Sequence, residues 1–278
     1  ELKAADICLD EIDAVVGRGG LVKPLESGTY EVNEQMKAHL YQGVLGQHAS
    51  NLGGLIADDI AQSLKNARAF IADPVVVDEL DDVARYTGHP KFQRRSIFHA
   101  LNQKAVARSY AQAVGRPYEE INLIIAHLGG GISVGAHQKG RVVDVNNALD
   151  GDGPFSPERS GGLPSGDIIR AAFSGQYTQD ELYKMVVGQG GMVAYLGTNN
   201  AREMEARAKA GDEKAKMIER AMAYQVGKYI GSLAAALNGR VDGILVTGGI
   251  AHDVNFVNYI KKMVSFIAPV TTYPGEDE

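Results

Sequence analysis

Three consecutive glycines, Gly129, Gly130 and Gly131, stand in the segment of this chain with the clearest chemical potential. An apolar run at 123–126 precedes them and a β-rich run at 132–136 follows, so the pattern predicts two strands joined at the glycines. Because glycine has no Cβ, backbone N–H groups can converge there on a small anion such as phosphate. The alternative is that the glycines only make a tight hairpin.

A polar segment follows a third predicted strand, at 141–145. Mg²⁺ keeps most of its waters and binds one or two carboxylates, so clustered carboxylates and amides beside a phosphate loop would suit a hydrated divalent cation. The same residue types also cap ordinary polar loops, and the sequence leaves both interpretations open. The residues concerned are Asp144, Asn146, Asn147, Asp150 and Asp152, followed by Glu158 and Arg159.

Arg18 lies between glycines directly after the run 12–16, which predicts a short buried strand. The glycines allow a sharp turn, and ligands usually bind at the carboxyl ends of strands in α/β sheets. Arg18 is therefore a candidate ligand-binding residue, with an ordinary surface arginine as the alternative. Asp73 similarly ends a β-like run at 69–72, although an Asp-Pro pair also simply favours a turn.

Two histidines precede predicted helices. His48 stands before an amphipathic helix that Ser50 or Asn51 can cap by accepting an N–H, which would place His48 near a positive helix end. His99 begins a longer helix within the segment RRSIFHALNQK. A solvated or packed histidine is the alternative in both cases, and His99 could simply pack beneath Phe98.

Near the carboxyl terminus, VDGILVTGGIAHD combines an apolar strand at 244–246 with Gly248, Gly249 and a helix that begins near Asp253. This arrangement suits a backbone that approaches a nucleotide closely, and equally a packing turn. Between the two glycine segments the pattern predicts helices at 167–173, 179–187, 213–237 and after Asn199 or Asn200, with Glu203 as a capping-box partner.

Composition narrows the functional classes. The chain has 278 residues, 45% of them hydrophobic, which is enough for two modest cores. Its net charge of −6 and the lack of a Lys/Arg-rich run argue against a nucleic-acid binder. The single cysteine, Cys8, cannot form an internal disulfide, and no apolar run reaches the length of a membrane span. We therefore predict a soluble cytoplasmic protein without a signal peptide.

Three segments carry a resemblance to a known family: HLGGGISVGAHQKGRVVDVNNALDGDGPFSPERSG, RRSIFHALNQK and TGGIAHD. They resemble the butyrate kinase branch of the acetate kinase group, within the superfamily of sugar kinases, actin and heat-shock chaperones. The resemblance covers essentially the whole chain. It implies an α/β fold of two ribonuclease H-like domains, at 1–119 and 120–278, with ATP and Mg²⁺ bound in the cleft between them.

The resemblance also implies roles for particular residues. Arg18 would bind the substrate carboxylate, and His48 would be an active-site histidine. His99 and Arg159 would stabilise the transferring phosphoryl group. Asp73 and Glu278 would contribute to the magnesium environment, with Asp73 among the catalytic residues. The predicted nucleotide-binding residues are His127, Gly129, Gly130, Gly131, Gly248 and Gly249.

Two departures from the family pattern stand at the ends of the chain. The family begins with a hairpin that carries N-P-G-S-[ST]-S-x-K, and it continues past the PGEDE segment into a closing helix; neither is in this sequence. We therefore expect a first domain that is incomplete in this chain. We also expect a homo-oligomer.

The substrate remains open between butyrate, acetate, propionate and branched acids, since one methylene changes binding by only about 1 to 3 kcal/mol. A non-catalytic ATP-binding module is a further alternative. The combination of Arg18, His99 and Arg159 favours catalysis over that alternative, because a binding module has no need of charges complementary to a phosphoryl transition state.

Overall fold

The computed structural model describes residues 7–46 and 48–276. The chain forms two compact units, Glu1–Glu79 and Leu80–Glu278, and each is described by itself. The domain boundary predicted between residues 119 and 120 stays a prediction. Among the described residues, no helix combines the length and apolar character needed to span a membrane.

The first unit contains a three-stranded sheet and two α-helices. Its strands are β1 (Ala14–Arg18), β2 (Thr29–Glu31) and β3 (Arg68–Ala72), and its helices are α1 (Glu34–Gln42) and α2 (Asn51–Gln62). The strand order is β1-β3-β2, with β1 parallel and β2 antiparallel to β3. The predicted strands near 12–16 and 69–72 are both present, but the prediction that the first is buried is wrong, since no residue of β1 is buried and Val16 is 61% exposed.

Helix α2 packs closely on β1 because glycines meet at the contact. A Cβ on Gly17 would overlap the carbonyl oxygen of Gly53, and a Cβ on Gly53 would overlap the carbonyl oxygen of Arg18. The buried face of α2 is made of small residues with Leu55, whereas Leu52 and Ile56 are more than half exposed. The amphipathic pattern therefore predicted the helix correctly and its buried face only in part.

The second unit is built on a five-stranded sheet with the order β6-β5-β4-β7-β8. Strands β4, β5 and β6 are antiparallel neighbours, while β7 and β8 continue the sheet parallel to β4. This is the strand arrangement of a ribonuclease H-like domain, and the predicted α/β fold class is confirmed. The strands are β4 (Asn122–Leu128), β5 (Ile132–Gln138), β6 (Arg141–Val145), β7 (Gly243–Gly248) and β8 (Val270–Pro274).

Seven α-helices belong to the described part of this unit: α3 (Ala100–Ala113), α4 (Ser165–Ala172), α5 (Gln179–Val186), α6 (Met192–Leu196), α7 (Ala201–Lys209), α8 (Glu213–Ala236) and α9 (Val254–Val264). Short 3-10 helices span Asp82–Arg85, Tyr118–Glu120 and Gly249–His252 in this unit, and Leu9–Glu11 in the first unit. The predicted helices in 167–237 are all present. Asn200 caps α7, but the predicted capping-box role of Glu203 is wrong, because its carboxylate accepts from the Thr198 hydroxyl instead.

Both faces of the five-stranded sheet are covered. Alternate side chains of β4 point to opposite sides, so Ile124 and Ala126 join the core beneath α8 and α9, whereas Leu123 and Ile125 pack with α3. A strand that is buried on both faces carries a continuous apolar run rather than an alternating one, as β4 does. The sheet therefore gives rigid support to whatever residues extend from its ends.

A buried histidine lies inside this unit. His137 of β5 is fully buried, and burial, followed by the charges of Lys104 and Arg108 on α3, lowers its pKa from 6.5 to about 3. The hydroxyl of Tyr118, ahead of β4, lies 2.6 Å from its Nδ1. Because the unfolded chain binds this proton at a higher pH than the folded protein does, the stabilising effect of His137 is complete above about pH 6.5 and is lost as the pH falls toward 3.

We expect the free energy of unfolding to rise by up to about 1.4 kcal/mol per pH unit between about pH 5 and pH 6.5 because of this residue. Urea denaturation of the wild type and of His137→Gln measures the difference in slope, over a range in which most carboxylates are already ionised. His252→Gln, at an exposed position, is the control for loss of a histidine. Equal slopes in the wild type and His137→Gln would contradict the expectation.

Candidate functional site

In the first unit, the predicted site residues gather at one edge of the sheet. Strand β1 is parallel to β3 with Arg18 opposite Ala72, so Arg18 and Asp73 both stand at the carboxyl ends of these strands. Asp73 is buried and has a positive φ of 37°, which is unusual for a residue other than glycine. Its Oδ1 accepts from the Ser27 hydroxyl at 2.6 Å and from the Gly28 N–H at 2.9 Å. The carboxylate is therefore held in a fixed orientation.

His48 lies at the amino end of α2, as predicted, but the cap differs. Ser50 makes no side-chain capping bond, and the Asn51 amide oxygen accepts from the Leu21 N–H at 2.8 Å instead. The His48 ring takes part in the turn itself, since its Nδ1 accepts from the Ser50 N–H at 3.2 Å. The prediction of a side-chain cap from Ser50 or Asn51 is thus wrong, because the tertiary contact with residue 21 uses the amide.

In the second unit, the parallel pair β4 and β7 brings two predicted segments together. His127 stands opposite Thr247 in the register, so the glycine segments that follow each strand emerge at the same edge of the sheet. Glu276, just after β8, reaches this edge too, with its Oε1 3.3 Å from His127 Nε2. Three strand ends therefore supply side chains or backbone to one place.

The glycine loop at 129–131 is a β4–β5 hairpin with functional side chains against it. Gly129 donates its N–H to the Gly131 carbonyl oxygen at 3.0 Å. A Cβ on Gly131 would overlap the Arg159 guanidinium, and a Cβ on Gly129 would lie 3.0 Å from His127 Nε2. None of the three glycines has a positive φ. Gly131, and less strictly Gly129, is needed for close approach rather than for an unusual backbone conformation.

His99 and His127 are stacked, with ring centroids 3.8 Å apart and planes 15° apart. His127 Nδ1 lies 2.7 Å from Asn102 Oδ1, which requires a proton on that nitrogen. Its Nε2 is buried without a hydrogen-bond partner. The Glu276 carboxylate is within ion-pair distance of this nitrogen but does not have hydrogen-bond geometry, so we regard Nε2 as unsatisfied. The alternative in which His99 simply packs beneath Phe98 did not include this stack with His127.

Arg159 lies beside the glycine loop in a depression of about 190 Å³ that Ile132, Asp150 and Ser156 also line. Its Nη1 donates to the Ala148 carbonyl oxygen at 2.5 Å, while Nε is buried without a partner. Burial lowers the pKa of the guanidinium, and Glu158 acts in the opposite direction. Arginine stays charged at neutral pH under such shifts. The site therefore contains a largely desolvated positive charge next to backbone that lacks side chains.

The polar segment after β6 is structural. Asp144 forms an ion pair with Arg94 at 2.7 Å, and the buried Asn146 bridges the Val134 N–H and the Ile132 carbonyl oxygen. The remaining members bond within the loop, as Asn147 does to Asp150. Within residues 7–46 and 48–276, no group of three or more His, Cys, Asp or Glu side chains could hold a metal ion. These hydrogen bonds favour the ordinary polar loop, and a hydrated Mg²⁺ ion on one or two of these carboxylates stays a prediction; Glu278 lies outside the described residues.

The two glycines after β7 differ. Gly248 has φ +88°, and a Cβ there would lie 2.5 Å from the Leu128 carbonyl oxygen, so packing alone explains it. Gly249 has no positive φ and no atom within 4 Å of its Cβ position. Packing gives no reason for glycine at 249, and the nucleotide contact predicted there stays a prediction. Asp253 caps α9 through its Oδ1, which confirms the predicted helix start.

Sequence reasoning missed the buried polar partners of His99 and His127. Asn102 and Gln103 follow His99 at helical spacings of three and four residues, and both are buried. Ser133 lies in β5 and contacts His99 Nδ1 at 2.8 Å. The signal was available, since two amide side chains one turn after a candidate histidine face the same side of a helix.

Comparison with known proteins agrees with the fold. The sequence profile of the acetokinase family matches residues 85–266. Butyrate kinase 2 of Clostridium acetobutylicum is 59% identical over 277 residues, covering 100% of this chain and 78% of that protein. Butyrate kinase 1 of the same organism is 55% identical with the same coverage.

Solved structures give the same answer for the fold. Acetate kinase from Porphyromonas gingivalis superposes with a TM-score of 0.81 at 20% identity, over 95% of this chain and 75% of that one. A propionate kinase from Francisella tularensis gives a TM-score of 0.79 at 21% identity, over 99% and 79% of the two chains. The fold and these likenesses define an α/β kinase. This chain belongs to the acetokinase family.

Replacing Gly248 and Gly249 by alanine, one at a time, tests which glycine is needed for packing and which for contact with a ligand. Gly248→Ala should destabilise the protein by roughly 2 to 4 kcal/mol, because it combines left-handed strain with overlap. Gly249→Ala should change stability by less than about 0.5 kcal/mol. If adenosine contacts residue 249, that second variant nevertheless binds ATP more weakly. Urea denaturation and calorimetric titration with ATP measure the two effects; unchanged ATP affinity in Gly249→Ala would remove residue 249 from the nucleotide site.

Proposed function

We propose that this protein transfers the γ-phosphoryl group of ATP to the carboxylate of butyrate, giving butyryl phosphate and ADP in a reversible reaction. The observation that carries the proposal is the 59% identity with a butyrate kinase along the whole chain. The stacked His99 and the desolvated Arg159 support a catalytic rather than a purely binding role.

The edge of the second unit offers donors that suit the phosphates of ATP. Buried donors without partners are rare and costly, and one of them, Arg159 Nε, lies beside the glycine loop. A phosphate oxygen would satisfy such a donor. At Gly130, the nearest atom to a Cβ would be Glu158 Oε1 at 3.5 Å, which is an ordinary contact, so packing does not require glycine there. The Arg159 donor supports phosphate binding beside residues 129–131, and the nucleotide-binding role of His127 stays a prediction.

Asp73 fits a magnesium ion by its chemistry. Mg²⁺ binds proteins through one or two carboxylates and keeps several waters, and Asp73 offers one carboxylate in a fixed orientation. When bound with ATP, the ion neutralises phosphate charge. Glu278 stays a predicted second contributor. The roles predicted for Arg18, His48 and Asp73 stay part of this proposal.

The chemistry follows from charge. A carboxylic acid with a pKa near 4 to 5 is already ionised at neutral pH, so its attack on phosphorus needs no general base. The obstacle is repulsion between two anions. In the proposal, Arg18 pairs with the carboxylate through two parallel N–H donors, while Arg159 and His99 face the charge that develops on the transferring phosphoryl oxygens.

The proposal is tested by hydroxamate formation with the purified full-length protein, ATP, hydroxylamine and a series of acids from acetate to hexanoate, including isobutyrate. Butyrate should give the highest kcat/KM, with about 10- to 200-fold discrimination for one methylene at best. A maximum at acetate or propionate would contradict the choice of acid. ATP binding without hydroxamate from any acid would favour a non-catalytic module. The predicted homo-oligomer and cytoplasmic location stay predictions.

Removal of the Arg159 side chain should affect turnover more than binding. Arg159→Ala is expected to lower kcat by about 10²- to 10³-fold, because its partner charge develops mainly during transfer. The KM for ATP should change much less. Steady-state kinetics with butyrate measure both, and Arg202→Ala at an exposed position of α7 is the matched control. A near-normal kcat in Arg159→Ala would exclude this role.

Arg18 is expected to act on the acid alone. Arg18→Ala should raise the KM for butyrate much more than the KM for ATP, since only the carboxylate loses its partner. Added guanidinium should restore part of the activity. Lys23→Ala, which removes another exposed positive charge of the first unit, is the control. Equal increases in both KM values would instead indicate a structural arginine.

A further inference from the structure

A buried chain of hydrogen bonds leads from His99 into the interior of the second unit. His99 Nδ1 lies 2.8 Å from Ser133 Oγ, and Gln103 Nε2 donates to the same oxygen at 2.8 Å. Gln103 Oε1 lies 2.9 Å from His137 Nε2, and the Tyr118 hydroxyl contacts His137 Nδ1. Ser133, Gln103 and His137 all have no exposed surface. The reaction proposed above uses none of these three residues.

One contact fixes the donor and the acceptor of every hydrogen bond in this series. Gln103 Nε2 also lies 3.2 Å from the backbone carbonyl oxygen of Ser133, which can only accept. The amide nitrogen must therefore be the end that faces Ser133, and the amide oxygen must face His137. His137 consequently carries its hydrogen on Nε2 and accepts from Tyr118 at Nδ1, as expected of a histidine that burial keeps neutral.

The Ser133 hydroxyl then has a single remaining role. Its oxygen accepts from Gln103 Nε2 and, at 3.4 Å, from the His99 backbone N–H, so both lone pairs are occupied. The hydroxyl hydrogen is left to be donated to His99 Nδ1. A hydrogen on Nδ1 would meet an oxygen without a lone pair to offer. The chain thus selects one tautomer of His99, with its hydrogen on Nε2.

We propose that Gln103, acting through Ser133, is a positioning residue that holds His99 as the neutral tautomer with hydrogen on Nε2. The inference rests on the proposed function for its catalytic consequence. In that tautomer, Nε2 is the hydrogen-bond donor of the ring, which is what stabilisation of phosphoryl oxygens requires of a neutral histidine. Gln103 itself touches no substrate in this account.

Gly135 provides the space that the Gln103 side chain occupies. A Cβ on Gly135 of β5 would lie 2.6 Å from Gln103 Oε1 and 3.3 Å from His137 Nε2. Gly135 has no positive φ, so its backbone does not require glycine. Glycine at 135 leaves space beside the strand, and the Gln103 amide occupies that space. A buried amide with every polar atom bonded also avoids the cost of an unsatisfied group.

Gln103→Glu should reverse the direction of the hydrogen bond between residue 103 and Ser133, while the side chain keeps almost the same shape. A carboxylate cannot donate to Ser133, so the hydroxyl would donate to it and leave Nδ1 of His99 facing a lone pair. Ser133→Ala removes the link altogether and serves as the second variant. Gln112→Glu makes the same chemical change at an exposed position of the same helix, α3, and is the matched control.

The direct readout is the ¹⁵N spectrum of selectively labelled histidines in the protein without ligand, with His99 assigned by its loss in His99→Asn. The wild type and Gln112→Glu should show the Nε2–H pattern for His99. Gln103→Glu and Ser133→Ala should show a shift toward Nδ1–H or the doubly protonated ring. In the hydroxamate assay, we expect kcat to fall about 10- to 100-fold, as for other partners of site histidines, with the KM for ATP within about twofold.

The outcomes separate this inference from the proposed function. An Nδ1–H or doubly protonated His99 in the wild type overturns the inference. So does an unchanged Nε2–H pattern in both site variants. A shifted tautomer in a protein that phosphorylates no carboxylic acid supports the positioning by Gln103 and rejects the function. A shifted tautomer with reduced kcat supports both.

Discussion

The parallel pairing of β4 with β7 is the constraint on which the candidate site depends. It places His127 opposite Thr247, so that the segments following the two strands reach the same edge of the sheet. Parallel strands need a long crossover, and residues 129–242 provide it. The pair β1 and β3 does the same for Arg18 and Asp73 in the first unit. Residues far apart in sequence thus meet because strand ends are aligned.

At that edge of the sheet, buried polar groups of the protein stand in fixed positions. Arg159 and His127 each have a buried nitrogen without a partner, whereas the neighbouring amides of Asn102, Gln103 and Asn146 are bonded. Arg159 Nε is therefore a buried donor that an anion could satisfy. Preorganised donors of this kind stabilise developing charge without reorganisation during the reaction.

Glycines provide the room that this arrangement needs, each for its own reason. Gly131 makes way for the Arg159 guanidinium and Gly135 for the Gln103 amide, both at ordinary backbone angles. Gly248 combines a left-handed φ with a tight contact to β4. A sequence shows only that these positions are glycine. The neighbouring atoms decide which of them could accept a side chain.

The sequence by itself determined the fold class, most of the strands and helices, and the family, because periodicity, glycine turns and motif order can be read from local segments. It also singled out His99, Arg159 and the glycine loop. It could not decide between a magnesium cluster and a polar loop after β6, since that depends on Arg94 reaching Asp144 from 50 residues away. The predicted side-chain cap of α2 was wrong for the same reason, because the Leu21 N–H donates to the Asn51 amide oxygen instead. Only the tertiary structure placed Ser133 and Gln103 beside His99, for a hydrogen bond between distant residues has no signature in either segment alone.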